Sequence, residues 1–475
     1  YLHKVIKDNE IQFREIPNIP RYGERLEDIG MFKRKDLRKA ENLKPTFRAI
    51  RNYLAANAIG ITRDEVFASQ LINLIFCKIY DERFTKPDDT VKFRAGVNES
   101  EEDIYNRILT LFDRVKHQYN DVIEVSDSIL LDSRSVKYIV GELQLYSLKD
   151  SSRDAVGDAF EIFIGPSLKG AQGQFFTPRN VVNMVIRMID PGIDERILDP
   201  ACGSGGFLVE SLRYVWNKLE EKAADLGWPE SEIEAEKQRI AIKNLRGIDK
   251  DSFLSKVAKA YLAILGDGRG GIHCENSLES FRNWSAKTFE DIQPESFDVI
   301  VTNPPFGKKL SIDSTEILEL YDLGHRWNSV PGGVFEKGAL ADKQPPQLLF
   351  IERCFQMLRP GGRMGIVLLE SIFGMPKYQY VVNYIRLQAK INAIVTLPED
   401  LFQPHTHAKC CVLICQKYKK NESYSSCDNY DIFMSDVKWC GHDSRGNITY
   451  SYTSTGEKVV LDEIPLVADR YLEMR

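Results

Sequence analysis

After residue 170 the chain alternates short β-branched and apolar runs with helix-length segments, and this rhythm restricts the fold more than any other feature of its 475 residues. The runs are RILDPA (196–201), LRGIDK (245–250), GIHCENS (271–277), FDVIVTNPP (297–305), RMGIVLL (363–369), INAIVTLP (391–398) and AKCCVLICQK (408–417). Strands separated by helices imply βαβ units, hence a mostly parallel sheet covered on both faces. Only EDLFQPHTH lies between the last two runs, too little for a helical crossover. They are expected to pair as a hairpin and to add one antiparallel strand.

Upstream, residues 36–168 carry helical patterns. Thr62-Arg63-Asp64-Glu65 reads as a capping box opening VFASQLINLIFCKIY, which is apolar nearly all round. NESEEDIYNRILTLFDRVKHQY starts acidic and ends basic, as the helix dipole favours, and SVKYIVGELQLYSL and DAVGDAFEIFIGPSL follow. An all-helical domain is expected there. Residues 1–35, with Pro17, Pro20 and Gly23, read as a lead-in or linker. Residues 421–475 form a C-terminal extension with no role assigned from sequence. The chain starts at Tyr1, which leaves open an upstream module.

Composition removes several classes. With 43% hydrophobic and 28% charged residues, wholesale disorder is excluded. No apolar run approaches the roughly 18–20 residues of a membrane span, and no signal-peptide pattern opens the chain, so a soluble, cytoplasmic protein is expected. The nine cysteines include no CxxC pair and there is no HExxH, so no metal is expected; Cys410, Cys411 and Cys415 sit in an apolar run as small hydrophobes. A net charge of −6 argues against gripping nucleic acid by bulk charge. Between Lys33 and Arg51, however, eight basic residues face only Asp36 and Glu41, either a solvated helix face or a phosphate-contacting patch.

The stretch ILDPACGSGGFLVESL is a strand, a tight turn containing Gly203, Gly205 and Gly206, then a helix, the place where an α/β sheet binds its ligand. Leu208 stands where a dinucleotide fingerprint needs Gly or Ala, and no P-loop lysine follows. Asp199 at the strand end would repel a phosphate and attract an ammonium; S-adenosylmethionine has an ammonium and a sulfonium and no phosphate. Asp249, ending LRGIDK, is placed to accept hydrogen bonds from ribose hydroxyls. In GQFFTPRNVVNMVIRMI, Thr177 reads as the N-cap and Pro178 as the first helical residue, and that helix N-terminus suits a carboxylate. Each of these features is also ordinary structure when taken alone.

FDVIVTNPPFG is the most informative stretch for chemistry. Two prolines straight after a buried strand donate nothing to a ladder and restrict the residues before them. The stiff corner offers two acceptors, the Asn303 side-chain oxygen and the Pro304 carbonyl, beside the ring of Phe306. That suits a planar base with an exocyclic amine, extruded from its duplex. Two aligned acceptors localise the amine lone pair for in-line attack on a sulfonium methyl.

DPACGSGGFL, NPPFG and GQFFTPR together resemble the amino-methylating DNA methyltransferases, most closely the modification subunits of type I restriction-modification systems. The resemblance covers roughly 36–417. It implies an α/β fold, a Rossmann-like S-adenosylmethionine-dependent methyltransferase sheet at 169–420 behind the helical domain. It implies N6-adenine methylation of double-stranded DNA with S-adenosyl-L-methionine as donor. It places the cofactor at Phe176, Thr177, Asp199, Ala201, Gly203, Ser204, Gly205, Gly206, Asp249 and Asn276. Asn303, Pro304, Pro305 and Phe306 would hold the target adenine. Asn276 stands where the family usually has an acid, and Phe402 where an aromatic often closes over the base. The implied partners are a DNA-specificity subunit and a restriction (nuclease or translocase) subunit. N-P-P-[FY] also serves methylases acting on ribosomal RNA guanine or release-factor glutamine, and a non-catalytic DNA-binding scaffold is the third reading.

Overall fold

The computed structural model describes residues 2–7, 10–15, 31–61, 63–149, 151, 177–266, 271–307, 310–331, 334–403, 406–424, 429–453 and 455–475. Pro17, Pro20, Gly23, Thr62, Phe176 and the segment DAVGDAFEIFIGPSL therefore lie outside the described residues. The chain divides into two compact units, 1–170 and 171–475.

In the first unit, strands β1 (Leu2–Lys7) and β2 (Glu10–Glu15) pair antiparallel within the expected lead-in. Helices α1 (Lys44–Asn57), α2 (Asp64–Phe84), α3 (Glu101–Gln118) and α4 (Ser133–Leu143) follow, with β3 (Arg38–Lys39) pairing parallel to β4 (Tyr146–Ser147). Ser100 and Asp103 form a reciprocal capping box on α3, satisfying two otherwise orphaned N–H groups. α2 is buried on nearly every side and carries an internal ion pair, Lys78–Glu82 at 3.0 Å. Glu82 also accepts from the amides of Leu148 and Lys149, which compensates the cost of burying its charge. Of the basic run, Lys33, Lys35, Arg38, Lys39, Lys44 and Arg48 are exposed, and Lys35 pairs with Asp88.

The second unit is built on an eight-stranded sheet. Its strands are β5 (Ile197–Asp199), β6 (Leu245–Asp249), β7 (Ile272–Cys274), β8 (Phe297–Thr302), β11 (Leu358–Leu369), β12 (Ala389–Thr396), β13 (Cys410–Lys417) and β14 (Phe433–Asp436). The intervening β9 (His325–Val330) and β10 (Val334–Leu340) make a separate hairpin. The sheet order is β14-β12-β13-β11-β8-β5-β6-β7. All neighbours are parallel except at β13, which runs antiparallel to both β11 and β12. The expected hairpin of β12 and β13 is present, with β13 seated inside the sheet. The apolar cysteines Cys410, Cys411 and Cys415 are buried there.

Helices α5 (Arg179–Ile189), α6 (Gly206–Leu226), α7 (Glu230–Lys243), α8 (Ser252–Gly266), α9 (Pro346–Met357) and α10 (Gln379–Gln388) accompany the sheet. The charged stretch 216–242 breaks into α6 and α7 at left-handed Gly227, with Pro229 two residues on. Gly247 lies at a close approach of the sheet to a helix. A Cβ there would meet Ile272 Cδ1 at 2.6 Å and Leu208 Cδ1 at 2.7 Å.

Residues 421–475 join this unit twice. β14 extends the sheet edge parallel to β12, and α11 (Ile464–Glu473) packs along α5. Asn180 Nδ2 donates to the Cys440 carbonyl at 3.2 Å and to Asp462 Oδ2 at 3.0 Å, and Arg187 pairs with Asp469.

Candidate functional site

β5 leads through α6 and α7 to β6 on one side, while its other neighbour is β8; the strand order reverses there. Ligands of open α/β sheets bind outside the carboxyl ends of the strands at such a point. A cavity of about 210 Å³ lies there. Pro200, Ala201 and Gly203 reach it after β5, Asp249 and Lys250 at the end of β6, Asn276 to Leu278 beyond β7, and Asn303 to Phe306 after β8.

The turn after β5 is shaped by its glycines. Gly203 has φ +53° and open space where a Cβ would stand, and Gly205 has φ +88° with Ala258 Cβ 3.2 Å from a built Cβ. Both need the left-handed region that glycine adopts without penalty. Gly205 N–H donates back to the Cys202 carbonyl at 2.8 Å, and the Gly203 N–H donates to Asp249 Oδ2 at 2.9 Å. The other oxygen, Asp249 Oδ1, accepts from Asp251 N–H at 2.9 Å, so the carboxylate is fixed against the turn from the neighbouring strand. Burial holds the Asp249 carboxyl above its ordinary range.

Asp199 is 1% exposed, accepts from Ala201 N–H at 3.1 Å, and does not line the cavity. Burial pushes its pKa from 3.8 to about 7. Ser204, Gly205 and Gly206 likewise shape the turn without lining the cavity. Asn276 lies two residues beyond the end of β7. Its Oδ1 accepts from Leu278 N–H at 3.1 Å and its Nδ2 donates to Glu279 Oε1 at 3.2 Å, so both ends of the amide are engaged within its own turn.

At the end of β8, Asn303, Pro304, Pro305 and Phe306 all line the cavity. Asn303 Nδ2 donates to Thr177 Oγ1 at 2.9 Å, while Asn303 Oδ1 is buried with no hydrogen-bond partner among the described residues. The expected N-cap role of Thr177 is corrected by this contact. Pro178 (φ −54°, ψ 139°) occupies the cap position without a side-chain bond and the helix starts at Arg179, leaving the Thr177 hydroxyl to meet Asn303. Phe306 is 2% exposed, and its ring meets Phe402 edge-on at 5.5 Å and 73°. Phe176 lies outside the described residues.

Sequence reasoning missed part of the lining: Lys250, Leu254, Ser277, Leu278, Ile312 and Phe350. Ser277 and Leu278 directly follow Asn276 and were within reach of the strand-end rule. Ile312 comes from the segment between β8 and α9 and Phe350 from α9 itself, and neither carries a motif. Among the described residues no group of His, Cys, Asp and Glu is arranged to hold a metal ion, and no helix is long and apolar enough to cross a membrane.

Comparison with known proteins bears on this geometry. The family model for N-6 DNA methylases matches residues 151–447. The EcoEI type I restriction enzyme methylase subunit of Escherichia coli is 24% identical over 352 residues, covering 69% of this chain and 63% of that protein. The MjaVII type I methylase subunit of Methanocaldococcus jannaschii is 27% identical over 363 residues, covering 74% and 56%. The chain thus matches less than two thirds of the length of these relatives. Among solved structures, the methyltransferase subunit of a type I restriction-modification system from Streptococcus thermophilus aligns with a TM-score of 0.57 at 16% identity, covering 91% of this chain and 93% of that one. A chain of a type I restriction-modification assembly aligns at 0.55 and 19% identity, covering 84% and 78%. These likenesses establish the methyltransferase fold.

Proposed function

Since the chain belongs to the N-6 DNA methylase family, we propose that it methylates N6 of an adenine flipped out of double-stranded DNA, as the modification subunit of a type I restriction-modification complex. The observation that carries this reading is Asn303. Its amide nitrogen is held by Thr177, and its oxygen is a buried acceptor without a donor among the described residues, on the wall of the cavity. Buried polar groups are almost always paired, so an orphaned acceptor at a ligand cavity is a place for a ligand's N–H. With the Pro304 carbonyl beside it, the corner suits the NH₂ of adenine.

The residues present also fit S-adenosyl-L-methionine. The open space at Gly203 lets a ligand approach the backbone, and Asp249 presents a fixed carboxylate for ribose hydroxyls. When bound, this cofactor supplies an electrophilic methyl on a positively charged sulfur. The remaining work belongs to the protein. Asn303 Oδ1 and the Pro304 carbonyl accept the two amine hydrogens, which localises the nitrogen lone pair and aims it. With the donor bound, the nitrogen so aimed would take the methyl as its bond to sulfur breaks, and the surplus amine proton would leave to water. Phe306 offers its face to the base, with the Phe402 ring edge-on beside it.

A net charge of −6 leaves sequence reading and much of the DNA affinity to partners, a specificity subunit and, for cleavage, a restriction subunit, in a cytoplasmic setting. The test is DNA methylation by the co-purified complex with labelled donor, read as N6-methyladenine by mass spectrometry. Asn303→Ala is expected to lower turnover by about 10²–10³-fold while leaving cofactor affinity intact. Unlabelled DNA with the wild-type complex, or an Asn303→Ala protein as active as wild type, overturns the assignment.

A further inference from the structure

Arg353 on α9 is 1% exposed, one of the largest fully buried side chains described. Its hydrogen bonds go to a phenol and two main-chain carbonyls rather than to a carboxylate. Nε donates to Tyr321 Oη at 2.8 Å, and Nη2 donates to the carbonyls of Glu279 at 2.7 Å and Leu278 at 3.4 Å. The Tyr321 hydroxyl in turn donates to the Leu278 carbonyl at 2.8 Å. The guanidinium lies 4.3 Å from the centre of the Phe281 ring and 5.1 Å from that of Tyr321. The neighbouring Glu352 accepts from Asp322 N–H at 2.9 Å and Leu323 N–H at 2.8 Å. Two consecutive residues of one helix therefore grip two segments, 278–279 and 321–323.

Stability alone does not account for this cation. An apolar side chain of similar volume commonly serves a core as well or better, because removing a guanidinium from water is costly. What Arg353 supplies is a rigid planar fork with fixed directions, and the groups at the end of that fork form the back of the cavity wall. Asn276, Ser277 and Leu278 face the cavity, and their turn is closed on the inner side by Ser277 Oγ donating to the Pro200 carbonyl and by the two Asn276 amide bonds. Arg353 and Tyr321 hold the same turn from behind.

We propose that Arg353 is a positioning residue for the cofactor: through the Leu278 and Glu279 carbonyls and the Tyr321 hydroxyl it fixes the wall that receives the adenosyl group of S-adenosylmethionine. The inference rests on the methyl transfer proposed above. Arg353 touches neither cofactor nor base. Its loss therefore weakens cofactor binding and spares the chemical step once the cofactor is bound.

The experiment is calorimetric titration of the full chain with S-adenosylhomocysteine, alongside methylation kinetics of the partnered complex. Arg353→Met is expected to weaken S-adenosylhomocysteine binding about tenfold and to raise KM for the donor comparably. Turnover at saturating donor should stay within about threefold of wild type, since small misplacements of a wall are felt in binding when the reacting groups are held elsewhere. Arg353→Lys, which keeps the charge but loses the fork, should recover part of the affinity. Tyr321→Phe keeps the ring and removes only the hydroxyl; it should weaken binding several-fold, and it decides the question if Arg353→Met fails to fold. Wild-type affinity in both Arg353→Met and Tyr321→Phe, or a loss of turnover with affinity unchanged, overturns the inference while leaving methyl transfer standing. Failure of the wild-type chain to bind S-adenosylhomocysteine would instead remove the methyltransferase reading itself.

Discussion

Replacing Asp199 by asparagine should flatten the pH dependence of stability of the cofactor-free chain. The Asp199 carboxyl is fully buried at the end of β5 and titrates at about 7 instead of 3.8, because burial penalises its charged form. The folded state therefore holds a proton that the unfolded state has already released, and stability falls as pH rises from about 4 to about 7, then levels off. At roughly 1.36 kcal/mol per pH unit, the whole interval corresponds to about 4 kcal/mol. Between pH 5 and pH 8 the loss from this one group is roughly 2.5 kcal/mol. The side-chain amide introduced by Asp199→Asn carries no titrating proton and can still accept from the Ala201 N–H. The assay is urea unfolding of both proteins at half-unit steps from pH 5 to pH 8, with the difference between them removing the titrations that the substitution leaves unchanged. The variant should gain on wild type by about 2.5 kcal/mol over that range. Parallel curves would mean that Asp199 is ionised in the folded chain at pH 5, and the burial argument would fail.

Two further substitutions test the site and its support. Gly247→Ala places a Cβ within 2.7 Å of two core side chains, Ile272 and Leu208, and should cost about 1–3 kcal/mol by denaturant unfolding without changing the identity of the methylated atom. Thr177→Val removes the acceptor that holds Asn303 Nδ2, so turnover at saturating donor should fall about tenfold, with Thr177→Ser restoring most of it; this is measured as initial rates of N6-methyladenine formation.

The parts of the fold that could be read from sequence are those governed by short-range rules. The strand–glycine turn–helix at 196–212, the diproline corner after β8, and the β12–β13 hairpin each follow from residues close together in the chain. β14 is four residues long with Met434 exposed, so it carries no hydrophobic alternation; only pairing with β12 makes it a strand. The β9–β10 hairpin has a mixed, largely exposed surface and likewise lacks a periodic signal. At the site, the residue types were legible and their relations were not. The Thr177–Asn303 contact spans 126 positions, and no local pattern tells a threonine that caps its helix from one that reaches across to an amide. Arg353 was unreadable for the same reason, since its partners lie 32 to 75 residues away.

The bond from Asn180 to Asp462 joins positions 282 apart. At roughly 5–20 residues per second, a ribosome takes on the order of 15–60 s to travel between them. Through that interval α5 has already been made, while the segment that bonds to Asn180 and pairs with Arg187 has not. That helix therefore meets these later partners only after every strand of the sheet, from β5 to β14, has been synthesised.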